Sequence, residues 1–173
     1  MKQLLALLSL ILPFMAIDCE DDCVVEENWE EENVTMLMEL SQLEDTYSQG
    51  DILTLTAQVP SENTFFDRTV DLNLESGDNT ALLMLLSDNI FIENNLDFKK
   101  GQQGQFANWF LLPFNPTTGM YELEVDVELQ RIGAYSHFNS GTFEFGSSDC
   151  PDFILNSRFA GVEDQFIEFT VDQ

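Results

Sequence analysis

Basic residues are the scarcest feature of this 173-residue chain, in which six Lys and Arg stand against 32 Asp and Glu for a formal net charge of −26. Nucleic-acid binding depends on Lys and Arg neutralising phosphates, so that class of function is excluded, and the same charge repels anionic membrane surfaces. Histidine occurs once, at His137, and cysteine three times, at Cys19, Cys23 and Cys150. So few ligands exclude a His/Cys zinc site. No Gly-x-Ser-x-Gly elbow accompanies the single histidine, which removes the usual signature of a Ser-His-Asp hydrolase. His137 itself lies in Gly133-Ala134-Tyr135-Ser136-His137-Phe138, read as a hairpin end, where a surface histidine is expected. Long apolar runs are also missing: none reaches the roughly 20 residues a membrane-spanning helix needs.

What is present begins with an export signal. Lys2 precedes an apolar run from Leu4 to Ile17, interrupted only by Ser9 and Pro13, and acid follows at once. These are the n-region and h-region of a secretory signal, so an exported chain without a transmembrane span is expected. The segment Cys19-Glu20-Asp21-Asp22 resembles that of the small surface lipoproteins of Gram-negative bacteria. The resemblance implies that Cys19 is the acylated residue and that the membrane is a partner through this lipid anchor. It also implies an outer-membrane or cell-surface location, with a periplasmic or secreted soluble form as the alternative. The chain departs from that family in carrying Ile17 and Asp18 where small residues normally precede the cysteine. Ala16 offers an ordinary cleavage site instead, although Phe14 is large for an A-x-A pattern.

An exported chain is expected to pair its cysteines. With Cys19 lipidated, Cys23 and Cys150 remain as one disulfide, closing a long loop worth about 4–5 kcal/mol in the chain-entropy model. The alternative leaves Cys19 and Cys23 in a tail and Cys150 buried as a thiol. From Glu20 to Glu32 the chain is mostly acidic, and such a block repels itself and stays extended. The expected division is a signal over 1–18, an acidic tether over 19–32 and one domain over 33–173, a size that holds a usable core.

Within that domain the dominant period is two. Tyr121, Leu123, Val125, Val127 and Leu129 alternate with Met120, Glu122, Glu124, Asp126 and Glu128, which predicts a strand with one face on a core and one on water. Leu53, Leu55, Ala57 and Val59 repeat the pattern, as do Ile167, Phe169 and Val171. Shorter predicted strands are Val70 to Leu74, Ala81 to Leu86, Phe106 to Leu112, Thr142 to Phe145 and Phe153 to Phe159, separated by turn clusters such as Ser48-Gln49-Gly50-Asp51 and Ser76-Gly77-Asp78-Asn79. Two segments, Val34 to Asp45 and Ala81 to Leu86, read equally as strand or helix.

The stretch Thr118-Gly119-Met120-Tyr121-Glu122-Leu123-Glu124-Val125 resembles the Gly-x-Tyr-x-x-x-Val entry to a late strand of immunoglobulin-like sandwiches, where the tyrosine hydroxyl anchors a corner. The fold class is therefore all-β, with an antiparallel immunoglobulin-like sandwich expected and a jelly-roll or β-barrel as the alternative. For binding, Lys99, Lys100 and Trp109 mark a platform for a sugar or peptide, beside the reading that Trp109 is simply part of a core strand. Calcium is the one cofactor with any support, at Asp149-Cys150-Pro151-Asp152 or Ser76-Gly77-Asp78-Asn79, and both read as plain turns because neither has EF-hand spacing. The functional expectation is an exported, lipid-anchored, non-enzymatic binding or structural protein with a protein or glycan partner. The alternative is a secreted carbohydrate-active or calcium-dependent adhesion module.

Overall fold

The structure is a computed structural model, and it describes residues 24–28, 35–41, 43–64, 66–87, 89–92, 94–147 and 150–173. In chain order the strands are β1 (Glu26–Asn28), β2 (Thr35–Ser41), β3 (Thr46–Ser48), β4 (Ile52–Pro60), β5 (Glu62–Asn63), β6 (Val70–Asp71), β7 (Thr80–Leu85), β8 (Asn95–Lys100) and β9 (Gln102–Gln103). They continue with β10 (Trp109–Asn115), β11 (Met120–Glu128), β12 (Gly133–Phe138), β13 (Gly141–Ser147), β14 (Cys150–Phe159) and β15 (Phe166–Asp172). Two short helices, α1 (Leu72–Ser76) and α2 (Asn89–Ile92), flank β7.

Seven strands close on themselves in the order β11, β4, β2, β14, β13, β7 and β10, with β10 returning to β11 through Phe114↔Tyr121 and Asn115↔Met120. Full closure removes the exposed edges that an open sheet must protect. The chain is thus all-β, and its pairing is that of the barrel alternative. An immunoglobulin-like sandwich consists of two separate sheets, whereas the Phe114↔Tyr121 seam joins the two ends of one. The parallel member of the ring is the β2–β14 pair. β1, which falls in the acidic segment expected to be tether, also runs parallel to β14 and is held to the body by Arg68, whose guanidinium bonds Glu26 at 3.0 Å and Glu75 at 2.8 Å.

Period two sets which side chains fill the barrel. Leu53, Leu55, Ala57 and Val59 of β4 face Leu123, Val125 and Val127 of β11 across a continuous register, and all are buried. The two ambiguous segments are strands: β2 buries Met38 and Leu40, and β7 buries Ala81, Leu83 and Leu85 while Leu82 and Met84 lie half-covered outside. Val70 to Leu74 is instead a two-residue strand followed by α1, because Asp71 caps the helix by accepting from the Leu74 amide at 3.2 Å and Gly77 ends it at φ +67°. Phe106 precedes β10 rather than opening it. The small sheet β12-β15-β3 adds Tyr135, Ile167, Phe169 and Val171 to the same core, with the Tyr135 ring stacked on Phe169 at 5.0 Å.

Beyond their seam β10 and β11 splay apart, and the chain fills the gap with a wedge: β8 pairs with β11, β9 pairs with β10, and Gly101 makes the bend between them. Gly101 sits at φ +80°, and a Cβ there would meet the Leu111 carbonyl oxygen at 2.7 Å and the Leu123 side chain at 2.8 Å. Gly101→Ala is therefore expected to lose roughly 2–4 kcal/mol, from the left-handed backbone and the overpacking together. Gly119→Ala, also at positive φ but with nothing within 4 Å, is expected to lose only about 1 kcal/mol. Equal losses in paired urea melts would show that close approach at the wedge contributes nothing.

Candidate functional site

Lys99 and Lys100 end β8 beside the acidic outer face of β11, and both are engaged there. Lys99 pairs with Asp97 and lies 3.5 Å from Asp126, which in turn accepts from the Thr54 hydroxyl at 2.7 Å. Lys100 bonds Glu122 at 3.1 Å, and Asn115 donates to the other carboxylate oxygen at 2.8 Å. The Asn115 bond chiefly, with help from Lys100 and against desolvation, holds the Glu122 carboxyl below its usual range. The two lysines are counter-ions that let a strand with four outward acids lie against its neighbour. Trp109 is half-buried at the start of β10 and meets Phe106 edge-on at 4.5 Å, with Phe106 half exposed. The expected platform therefore reduces to this aromatic pair.

His137 departs further from expectation. It is completely buried rather than at the surface, because β12 turns it toward the core along with Tyr135. Its Nδ1 bonds the Ser87 hydroxyl, which also accepts from the Phe138 amide at 3.3 Å. The other ring nitrogen, Nε2, has no partner among the described residues. Phe91 and Phe159 approach the ring edge-on at 5.7 and 5.9 Å. Burial alone lowers the pKa to about 4, so the ring is neutral at physiological pH. The ring itself is closed off from solvent, and among the described residues no carboxylate bonds it as in a hydrolytic triad.

The concavity nearest in sequence to this pair is a hollow of about 380 Å³ at the end of the barrel where β7 and β12 finish and β13 begins. Leu86 and Phe138 form its apolar wall, Asn139 lies at its base, and Arg158, Glu163 and Asp164 supply charge. Asn139 is buried and fully used. Its amide donates to the carbonyls of Val162 at 2.8 Å and Asp164 at 2.9 Å, and its side-chain oxygen accepts from the Phe159 amide at 2.8 Å. The loop carrying Glu163 and Asp164 is thereby clamped to the strands. Arg158 projects outward between the buried Ser157 and Phe159, and among the described residues its guanidinium has no ion pair. Nothing in the local sequence announces this hollow, since its lining comes from four separate segments.

Comparison with protein-family models, with curated proteins and with solved structures found no match. The site must therefore be read from its own chemistry. Among the described residues no group of three or more His, Cys, Asp or Glu is placed to hold a metal ion. In the expected calcium turn at 76–79, the Asp78 carboxylate accepts from the Thr80 amide at 3.0 Å and its carbonyl accepts from the Tyr121 hydroxyl at 2.7 Å. Tyr121 does anchor a corner through its hydroxyl, joining β11 to the loop before β7. Cys19, Cys23 and Asp149 lie outside the described residues, as does the side chain of Cys150. Among the described residues no helix is long and apolar enough to cross a membrane.

Proposed function

We propose that this chain is an exported, lipid-anchored, non-enzymatic binding protein of the cell envelope, displayed at the outer membrane or cell surface on a rigid β-barrel. The observation that carries the binding role is the clamped hollow at the barrel end, where a guanidinium without an ion pair, a fixed acidic loop and an apolar wall converge. Sites of this kind, concave and mostly preformed with few polar groups, are where small ligands bind. The full burial of the His137 ring argues against hydrolytic catalysis by the lone histidine. The test is a fragment screen read by amide resonances, in which those of Phe138, Asn139 and Arg158 should move together. A screen that leaves all three still would refute the role.

The anchor rests on the export segment. Mass spectrometry of the native protein is expected to find an acylated N-terminus at Cys19 and partition into detergent, whereas an unmodified N-terminus at Ile17 or elsewhere would defeat the lipoprotein reading. The disulfide rests on cysteine parity in an exported chain, since with Cys19 lipidated Cys23 and Cys150 remain to pair. Non-reducing peptide mapping should recover Cys23 joined to Cys150, and alkylation of both without prior reduction would exclude the bond.

A glycan-binding reading has one observation in its favour, the half-exposed Phe106 packed on Trp109. Sugar titrations that quench fluorescence in the parent protein but not in Trp109→Leu would move the binding role to that face.

A further inference from the structure

The charges around the barrel-end hollow are of both signs yet do not pair. Arg158, Glu163 and Asp164 line the same space, and no nitrogen–oxygen distance between them comes within the 4.0 Å of an ion pair. The other described Lys and Arg side chains have work elsewhere: Arg68, Lys99 and Lys100 are paired with carboxylates, and Arg131 bonds the Ala134 carbonyl and lies over the Tyr135 ring. In a chain of net charge −26, a guanidinium without a carboxylate partner among the described residues, beside two acids, is conspicuous. The acidic loop is not free to swing across and quench it, because Asn139 pins Val162 and Asp164 by their carbonyls.

Opposite charges that line one hollow without pairing suit a ligand that carries both. We propose that the hollow binds a zwitterionic α-amino acid with an apolar side chain, an inference that rests on the binding role proposed above. The ligand carboxylate meets Arg158, where a guanidinium presents a bidentate fork. Its ammonium meets Glu163 and Asp164, and its side chain lies against Leu86 and Phe138. A zwitterion suits this protein for a second reason. A free anion must approach against the field of the whole acidic surface, whereas a net-neutral molecule does not, and its two ends still find their partners at short range. The volume of about 380 Å³ lies at the small end of ligand sites, which fits a single amino acid better than a long peptide.

The test uses the full chain with L-leucine and L-phenylalanine as probes, followed by calorimetry and amide resonances. N-acetyl-L-leucine lacks the ammonium and L-leucinamide lacks the carboxylate, and each is expected to bind at least tenfold more weakly than L-leucine. Arg158→Gln should weaken L-leucine at least tenfold while leaving the melting temperature unchanged, since Arg158 is exposed and makes no ion pair. The double change Glu163→Gln with Asp164→Asn should act likewise, and it keeps the Asn139 clamp because that bonds carbonyls of the main chain. Equal binding of the blocked compounds, or an unchanged affinity in Arg158→Gln, would overturn the zwitterion assignment. Should acetate or a neutral sugar move the Phe138 and Asn139 resonances when L-leucine does not, the amino-acid assignment fails and the binding role stands. If no compound moves them, both fail.

Discussion

Val125→Asp is expected to destabilise the protein by at least about 4 kcal/mol, a large share of the 5–15 typical of a domain. Val125 is fully buried at the centre of β11, opposite Leu55 on β4 and Phe98 on β8, so an aspartate there is a carboxylate with neither water nor a cation within reach. The neighbouring Glu124 faces outward and is half-exposed, between Thr56 and Lys100 in the register. Glu124→Lys should change stability by only about 0.5 kcal/mol in either direction, since a surface charge is well solvated and the strand already carries three other acids. Urea melts of both variants measure the contrast. A harmless Val125→Asp beside a damaging Glu124→Lys would mean that β11 is assigned to the wrong register, because a slip of one residue exchanges its faces.

A second large effect is expected from acid. His137 titrates near 4 when folded and near 6.5 when unfolded. Above pH 6.5 both states are neutral and the protein keeps its full stability. Between 6.5 and 4 the unfolded chain takes up a proton that the buried ring refuses, so stability falls with pH, reaching a total of about 3 kcal/mol. Other groups act elsewhere or in the opposite sense. Asp71, held down chiefly by its Ser61 bond, and Glu122, held down chiefly by Asn115, lose stabilisation only as pH falls past their ordinary values of 3.8 and 4.5. Glu144, raised by burial between Leu82 and Ile154, is relieved by protonation and gains. Relaxing the net negative charge also favours folding as pH drops. Subtracting the profile of His137→Gln removes these shared contributions. The difference between parent and variant should be level above pH 7 and should fall steadily from 6.5 to 4; a difference that stays level throughout would place the ring in contact with water.

His137 also shows why some of the site was illegible beforehand. The segment 133–138 reads as a hairpin end in the sequence but is the strand β12, whose alternation places Tyr135 and His137 on one face. Which face is inward depends on β15, where Phe169 stacks on Tyr135, and on Ser87, which lies 50 residues away and supplies the ring's one hydrogen bond among the described residues. Lys99 and Lys100 posed the same difficulty. Two cations beside glutamines and aromatics suggest a ligand surface, until pairing with β11 brings Asp126 and Glu122 alongside and engages them. Arg158 is the converse case, an unremarkable arginine on a predicted strand that becomes conspicuous only once the loop at 160–165 is seen to be clamped beside it with no ion pair between them.

The amino-acid order by itself determined the all-β class, the inward faces of β4, β11 and β15 and the acidity of the surface, because period two and composition are local properties of a chain. Tertiary structure decided that the strands close as a barrel, that the gap between β10 and β11 is wedged open at Gly101, and that His137 is buried while Arg158 has no ion pair among the described residues. Those outcomes depend on which strands lie side by side, and that is settled by long-range pairing and by the few residues, such as Asn139, whose hydrogen bonds join segments remote in sequence.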